Sequence, residues 1–259
     1  MKFNFNQMWT IAIKELISYF SSPIAYIIIA GFLFITSWIF FFNLDHVNTV
    51  TLQYHAMGGI VASITDGIVR PLYSSMNVIL LFISPFITMR LFAEEKKMQT
   101  IQLLLSSPIR TSEILLGKYV SAVLLISVLL ILTLVYPLIL FKFSNPDFGP
   151  IFTNYIGVFL MACSYLSLGI FFSAISENQI AAGAMTFASS FFFWLINLAS
   201  QAAGPILQVL LEYLSLIKHF NKFNLGIVNS SDVIFYISFI TLSLFFTHQV
   251  LDSDRIRRS

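Results

Sequence analysis

The chain has 259 residues, 58% of them hydrophobic and only 10% Asp, Glu, Lys or Arg, where soluble domains carry about 25% charged residues. One soluble core cannot bury that much apolar surface at this length, so much of it must face lipid. A net charge of +2 with no aromatic-interleaved basic stripe argues against a nucleic-acid partner, and a single cysteine, Cys163, excludes an intrachain disulfide or a multi-cysteine metal site and reads as a small packing residue.

The first stretch, 1–22, has a helical period. Trp9, Ile13, Leu16, Ile17 and Phe20 share one face, and Gln7, Thr10, Lys14, Glu15, Ser18 and Ser21 the other. Such a helix lies in the membrane interface with its aromatic rings at headgroup depth. It is either a plain anchor or an elbow that also braces a docking surface. Lys14, Glu15 and Ser18 interrupt it too early for a signal peptide, and the run Ile24–Phe42 exceeds the ~7–15 residues of a cleaved apolar core. Ser22 is then a candidate N-cap and Pro23 the first helical residue of a membrane span.

A bilayer core needs roughly 20 apolar residues of helix, and six stretches qualify: 23–42, 72–92, 114–141, 151–173, 179–198 and 233–251. Backbone groups in lipid must bond internally, so these runs read as helices. The expected fold is an all-α integral membrane protein, one transmembrane domain over 1–259. Residues 43–75 are polar, contain Gly58-Gly59 and Gly67, and fit either a small cap or a loose loop.

Between the second and third spans, 93–108 carries a patterned block. Met98, Ile101, Leu104 and Leu105 recur at helical spacing, with Glu94, Glu95, Lys96, Lys97 and Gln102 around them. A mere connector needs no apolar stripe. Ser107-Pro108 repeats the cap-plus-proline pattern of Ser22-Pro23, and Thr111 with Glu113 suits the start of the third span. Gly204-Pro205 breaks the uncharged run after the fifth span, so 199–231 reads as short helices partly re-entering the outer leaflet. His219 in that stretch has no second ligand nearby in sequence and reads as a satisfied interfacial residue, while Asp232 suits the first turn of the last span.

With the N-terminus inside, ten basic residues (Lys2, Lys14, Arg90, Lys96, Lys97, Arg110, Lys118, Arg255, Arg257 and Arg258) face the cytoplasm. Only four (Arg70, Lys142, Lys218 and Lys222) face away. The positive-inside rule therefore sets both termini in the cytoplasm. The chain lacks a G-x-x-x-x-G-K-[ST] loop, an H-E-x-x-H and a G-x-S-x-G. The spans are expected to carry essentially no charge, against an ion-coupled carrier.

Three stretches carry a family resemblance. Lys14-Glu15-Leu16 with Tyr19-Phe20-Ser21-Ser22-Pro23-Ile24-Ala25-Tyr26 is similar to the start of ABC-2-type permeases, the membrane subunits of ATP-driven exporters. The run from Glu94 to Ile109, with Leu116-Gly117-Lys118 after it, resembles the E-E-[KR]-x-x-[GQ]-T-[IL]-[EQ]-x-L-L-x-x-P-[IV] block and following G-K pair of that family. Where many members have glycine before the threonine, this chain has Gln99. His219-Phe220, Gly226, Asp232-Val233 and the basic tail resemble the gliding-motility-type branch.

The resemblance implies a bacterial inner-membrane exporter whose 94–107 segment is a coupling helix seated on a separate ATPase subunit, with a second permease chain completing the path. It implies no catalysis and no cofactor in this chain, ATP and Mg being held by the partner. Met98, Ile101, Leu104 and Leu105 are then the expected docking contacts, and Glu94, Glu95, Lys96 and Lys97 the orienting charges. The alternative is a non-transporting scaffold or anchor of an envelope or motility complex. Lipids, polymers and hydrophobic small molecules all fit as cargo.

Overall fold

The computed structural model describes residues 4–56, 64–102, 109–144, 146–202 and 204–258. All the regular structure among them is helical. Helix α1 (Phe5–Ser21) starts where the Asn4 side chain accepts a hydrogen bond from the Asn6 N–H. It ends at Ser22, whose extended backbone turns the chain and whose hydroxyl accepts from the Ile24 N–H at 3.3 Å. Helix α2 begins on Pro23, a position that needs no N–H donor.

The sequence placed the end of the first span near Phe42 and a cap or loop beyond it. Helix α2 instead runs from Pro23 to Ala56. Residues 43–56 contain neither proline nor glycine, and the first breakers are Gly58-Gly59. Polarity marks where a helix leaves lipid, not where it stops. A π-helical turn (Thr65–Val69) then leads into α3 (Arg70–Thr88), with Arg70 paired to Asp66 one turn earlier.

After the short α4 (Ala93–Lys97) come α5 (Thr111–Leu132) and α6 (Val135–Phe143). Residues 114–141 were expected to form one helix. They are two, although together they are long and apolar enough for one crossing, Thr111–Phe143. Pro137 has no N–H for the Thr133 carbonyl, so that carbonyl takes the Tyr136 N–H at 3.0 Å and the helix resets. Helices α7 (Phe148–Ile175) and α8 (Gln179–Ala202) follow, the latter capped where Asn178 accepts from the Ile180 N–H.

Two short helices, α9 (Pro205–Leu214) and α10 (Leu216–Asn224), occupy the stretch read as outer helices. Ser215 caps α10 by accepting from the Lys218 N–H. The helix closes with a Schellman pair, Gly226 N–H to Phe223 O and Ile227 N–H to Lys222 O, and Gly226 supplies the required left-handed φ of 85°. Helix α11 (Ser230–Arg258) completes the chain.

Six of these stretches are long and apolar enough to cross a membrane. Helices α3 and α7 form the centre, with 67% and 72% of their apolar stretches buried, against 22% for α2, α8 and α11. Helix α7 packs on α11, α3 and α8, while α1 lies along α5. The outer helices expose large apolar side chains: Phe34 and Trp38 on α2 and Ile180 on α8 point outward. That arrangement suits lipid. An even number of crossings returns the chain to its starting side. The Asn4 N–H accordingly bonds Glu113, and Lys96 bonds Asp254, so both termini share one end of the bundle.

Candidate functional site

Lys118 organises the termini-bearing end. It lies on α5 about 10 Å from the helix start, at 1.5 Å per residue, and is only 1% exposed. A buried ammonium is costly unless paired and hydrogen-bonded. Its three donors meet three acceptors: Glu15 Oε1 of α1 at 3.0 Å, Glu95 Oε1 of α4 at 2.8 Å, and the Leu91 carbonyl after α3 at 2.7 Å. The Phe92 ring lies 5.1 Å from the ammonium. One side chain thus ties four segments together.

The close approach of α1 to α5 depends on the residue before it. A Cβ at Gly117 would fall 2.8 Å from the Met8 carbonyl and 2.9 Å from the Ile11 side chain. Only glycine lets the two backbones meet there. Glu113, buried in the first turn of α5, accepts from the Arg110 N–H at 3.1 Å and from the Asn4 N–H at 2.6 Å, capping its own helix and fixing the start of α1.

Further bonds clamp α4. Lys96 donates to Asp254 of α11 at 2.7 Å. The Ser173 hydroxyl of α7 accepts from the N–H groups of Phe92 and Ala93 at 3.0 and 3.2 Å. Nearby, Arg90 stacks over the Tyr19 ring at 4.5 Å, and the Tyr19 hydroxyl donates to the Ile87 carbonyl. Burial, opposed by Arg90, raises the Tyr19 pKa, so the phenol stays a donor. Lys14, Glu94, Met98 and Thr100 border a cleft of about 270 Å³ beside these groups.

The expected site residues divide between outside and inside. Glu94, Lys97 and Met98 face outward, Met98 at 67% exposure. Glu95 and Lys96 are spent on the internal ties to Lys118 and Asp254. Ile101 is 1% exposed and packs in the core, so its side chain is not available to a partner in this conformation. Leu104 and Leu105 lie outside the described residues, as does the Ser107-Pro108 cap. The block is not one continuous helix as far as it is described. Gln99 adopts φ 58°, the left-handed conformation that ends α4. The structural preference for glycine at this position is therefore a helix C-cap preference.

In α1, Trp9, Ile13 and Ile17 are exposed while Leu16 and Phe20 pack on the core, and the buried stripe is Met8, Ala12 and Tyr19. Sequence reading missed Lys118, Ser173 and Asp254 as partners. The expectation of charge-free spans is corrected by Lys118, buried within 114–141. Asp232, which the sequence set at the start of the last span, is buried there against His219 at 2.5 Å and Lys222 at 2.9 Å. A lysine two turns inside an apolar helix was a visible signal; its partners, 23 and 103 residues away, were not. No group of three metal-binding side chains occurs among the described residues.

A helical bundle with six stretches long and apolar enough to cross a membrane, and with a polar clamp gathered at one end, defines a multi-pass membrane protein. A family model described as ABC-2 family transporter protein matches residues 42–214. The chain belongs to the ABC-2 transporter family, and is a membrane permease of an ABC transporter. The match runs from α2 through α9; α1 and α11, which supply Glu15 and Asp254, lie outside it. No curated protein matches the chain.

Proposed function

We propose that this permease is driven by a separate ATPase subunit that seats on the outward face of α4, with Glu94, Lys97 and Met98 as its contacts. The observation that carries this reading is the Lys118 clamp. Because Lys118 joins α4 to α1, α5 and the end of α3, a push on α4 moves membrane helices and is not absorbed locally. ATP and Mg bind the partner, and closure of the ATPases biases the permease through differential affinity for its two states.

The working unit is two permease chains with two ATPases in a bacterial inner membrane. Both termini and the Lys118 clamp face the cytoplasm, in line with ten basic residues on that side against four. Helices α9 and α10 then belong to the outer leaflet, and Trp9, Ile13 and Ile17 of the elbow rest in the inner interface. Export, and the gliding-motility-type branch, rest on the sequence resemblance.

The test is co-purification in mild detergent with the co-expressed ATPase. Met98→Asp is expected to lose the ATPase while keeping a monodisperse permease. Ile101→Asp, a buried site, is expected to lower the yield of permease itself and cannot serve as the docking probe. An ATPase retained undiminished by Met98→Asp together with Lys97→Glu would place the seat elsewhere, and no ATPase even after crosslinking would remove the reading.

A further inference from the structure

Asn77 of α3 is 4% exposed, and neither its Oδ1 nor its Nδ2 has a hydrogen-bond partner. It is the residue, among those described, with both atoms of a side-chain amide orphaned. A buried amide left unpaired is unfavourable in an apolar setting. It lies about 10 Å along α3 from Arg70, toward the end of the bundle opposite the Lys118 clamp.

Asn77 borders a cleft of about 230 Å³ between α3, α7, α8 and α10. Met161, Trp194, Ile217 and Phe220 wall it, Asn197 and Asn221 add two further amides and Ser74 a hydroxyl, and no charged side chain lines it. Val78 and Leu198 stand at its edge and are exposed on the apolar flank of the bundle. The walls repel a bare ion, and the flank lets a hydrocarbon chain leave sideways into lipid. The unpaired Asn77 amide asks for a group that both donates and accepts.

We propose that this cleft binds the uncharged head of an amphiphile, a hydroxyl or amide group paired to Asn77, with its acyl chain leaving past Val78 and Leu198. Its volume takes a small head and a few carbons, so most of the ligand stays in the bilayer. The site lies within one chain and is independent of the ATPase seat. Its failure would leave the docking proposal untouched.

The test uses Trp194 as reporter. The chain has three tryptophans; Trp9 and Trp38 are exposed, so Trp9→Phe with Trp38→Phe leaves Trp194 as sole emitter. The full chain in detergent is titrated with a monoacylglycerol carrying a dibrominated acyl chain, and separately with the methyl ester of the same acid, which has no donor. The expected result is saturable quenching by the monoacylglycerol, with Asn77→Leu and the methyl ester each binding about tenfold more weakly. Val78→Phe, at the exposed edge and outside the core, gives the same loss by blocking the entrance if Asn77→Leu does not fold.

Equal quenching in Asn77→Leu, or by the ester, would overturn the proposal, as would no saturable quenching at all, which would leave water on the amide. Competition by lipid extracted from the host membrane marks the occupant as a resident lipid. Binding that the extract does not displace marks it as cargo.

Discussion

At residue scale the molecule rests on one buried charge. Replacing Lys118 by Met removes the cation and leaves Glu15 and Glu95 facing each other without it. Breaking a buried pair in this way costs about 3–5 kcal/mol. The expected outcome is a clear fall in thermal midpoint in detergent, and an unchanged midpoint would contradict the clamp. Gln99 is the opposite case. Its left-handed φ of 58° is carried by a side chain that gains nothing from it, so Gln99→Gly is expected to stabilise the permease by about 1 kcal/mol. A thermal melt of the two proteins side by side decides it. The block motif was legible in the sequence, and so was the departure from glycine, but the conformation that gives the departure its meaning was not.

At element scale the tightest joint is α1 on α5. Gly117→Ala places a Cβ against the Met8 backbone carbonyl, and backbone cannot step aside as a flexible side-chain end would. The expected cost is about 1–3 kcal/mol, with α1 lifted away from Glu15's contact to Lys118. A double-mutant cycle with Glu15→Gln checks the mechanism: the combined loss should fall short of the sum, because both changes release the same joint. Additive losses would mean that α1 stays seated. The Pro137 break makes a second demand on one element. With Pro137→Ala the Thr133 carbonyl regains its N–H partner, and α5 and α6 are expected to merge into a single helix. Slower amide exchange across 133–138 would report it.

At the scale of the whole molecule, two central helices are sheathed by four more exposed ones, and the ion pairs collect at the ends. The termini-bearing end holds Lys118, Glu113 and the Lys96–Asp254 pair; the far end holds Asp232 with His219 and Lys222. A bundle fastened at both ends suits helices that tilt as units. On the docking proposal, Lys96→Met loosens α4 from α11 without touching the outward face. ATPase binding should then persist while ATP turnover loses its dependence on the permease. Loss of binding itself would instead make Lys96 a contact.

The sequence alone determined the membrane class, the six crossings and the family, because hydropathy over some twenty residues and a contiguous motif are local properties that no packing can reverse. It also located the caps at Ser22 and Asp232's place in the first turn of α11. Only the tertiary structure decided which of the motif's charges look outward. Glu94 and Glu95 are neighbours in the same short helix, yet one is exposed and the other is bonded to a lysine 23 residues on. Likewise Met98 and Ile101 share a helical period but not a fate, since the left-handed turn at Gln99 changes the direction of the chain between them and buries the second. Periodicity assumes an unbroken helix, and pairing a buried charge takes partners that the fold brings from far along the chain.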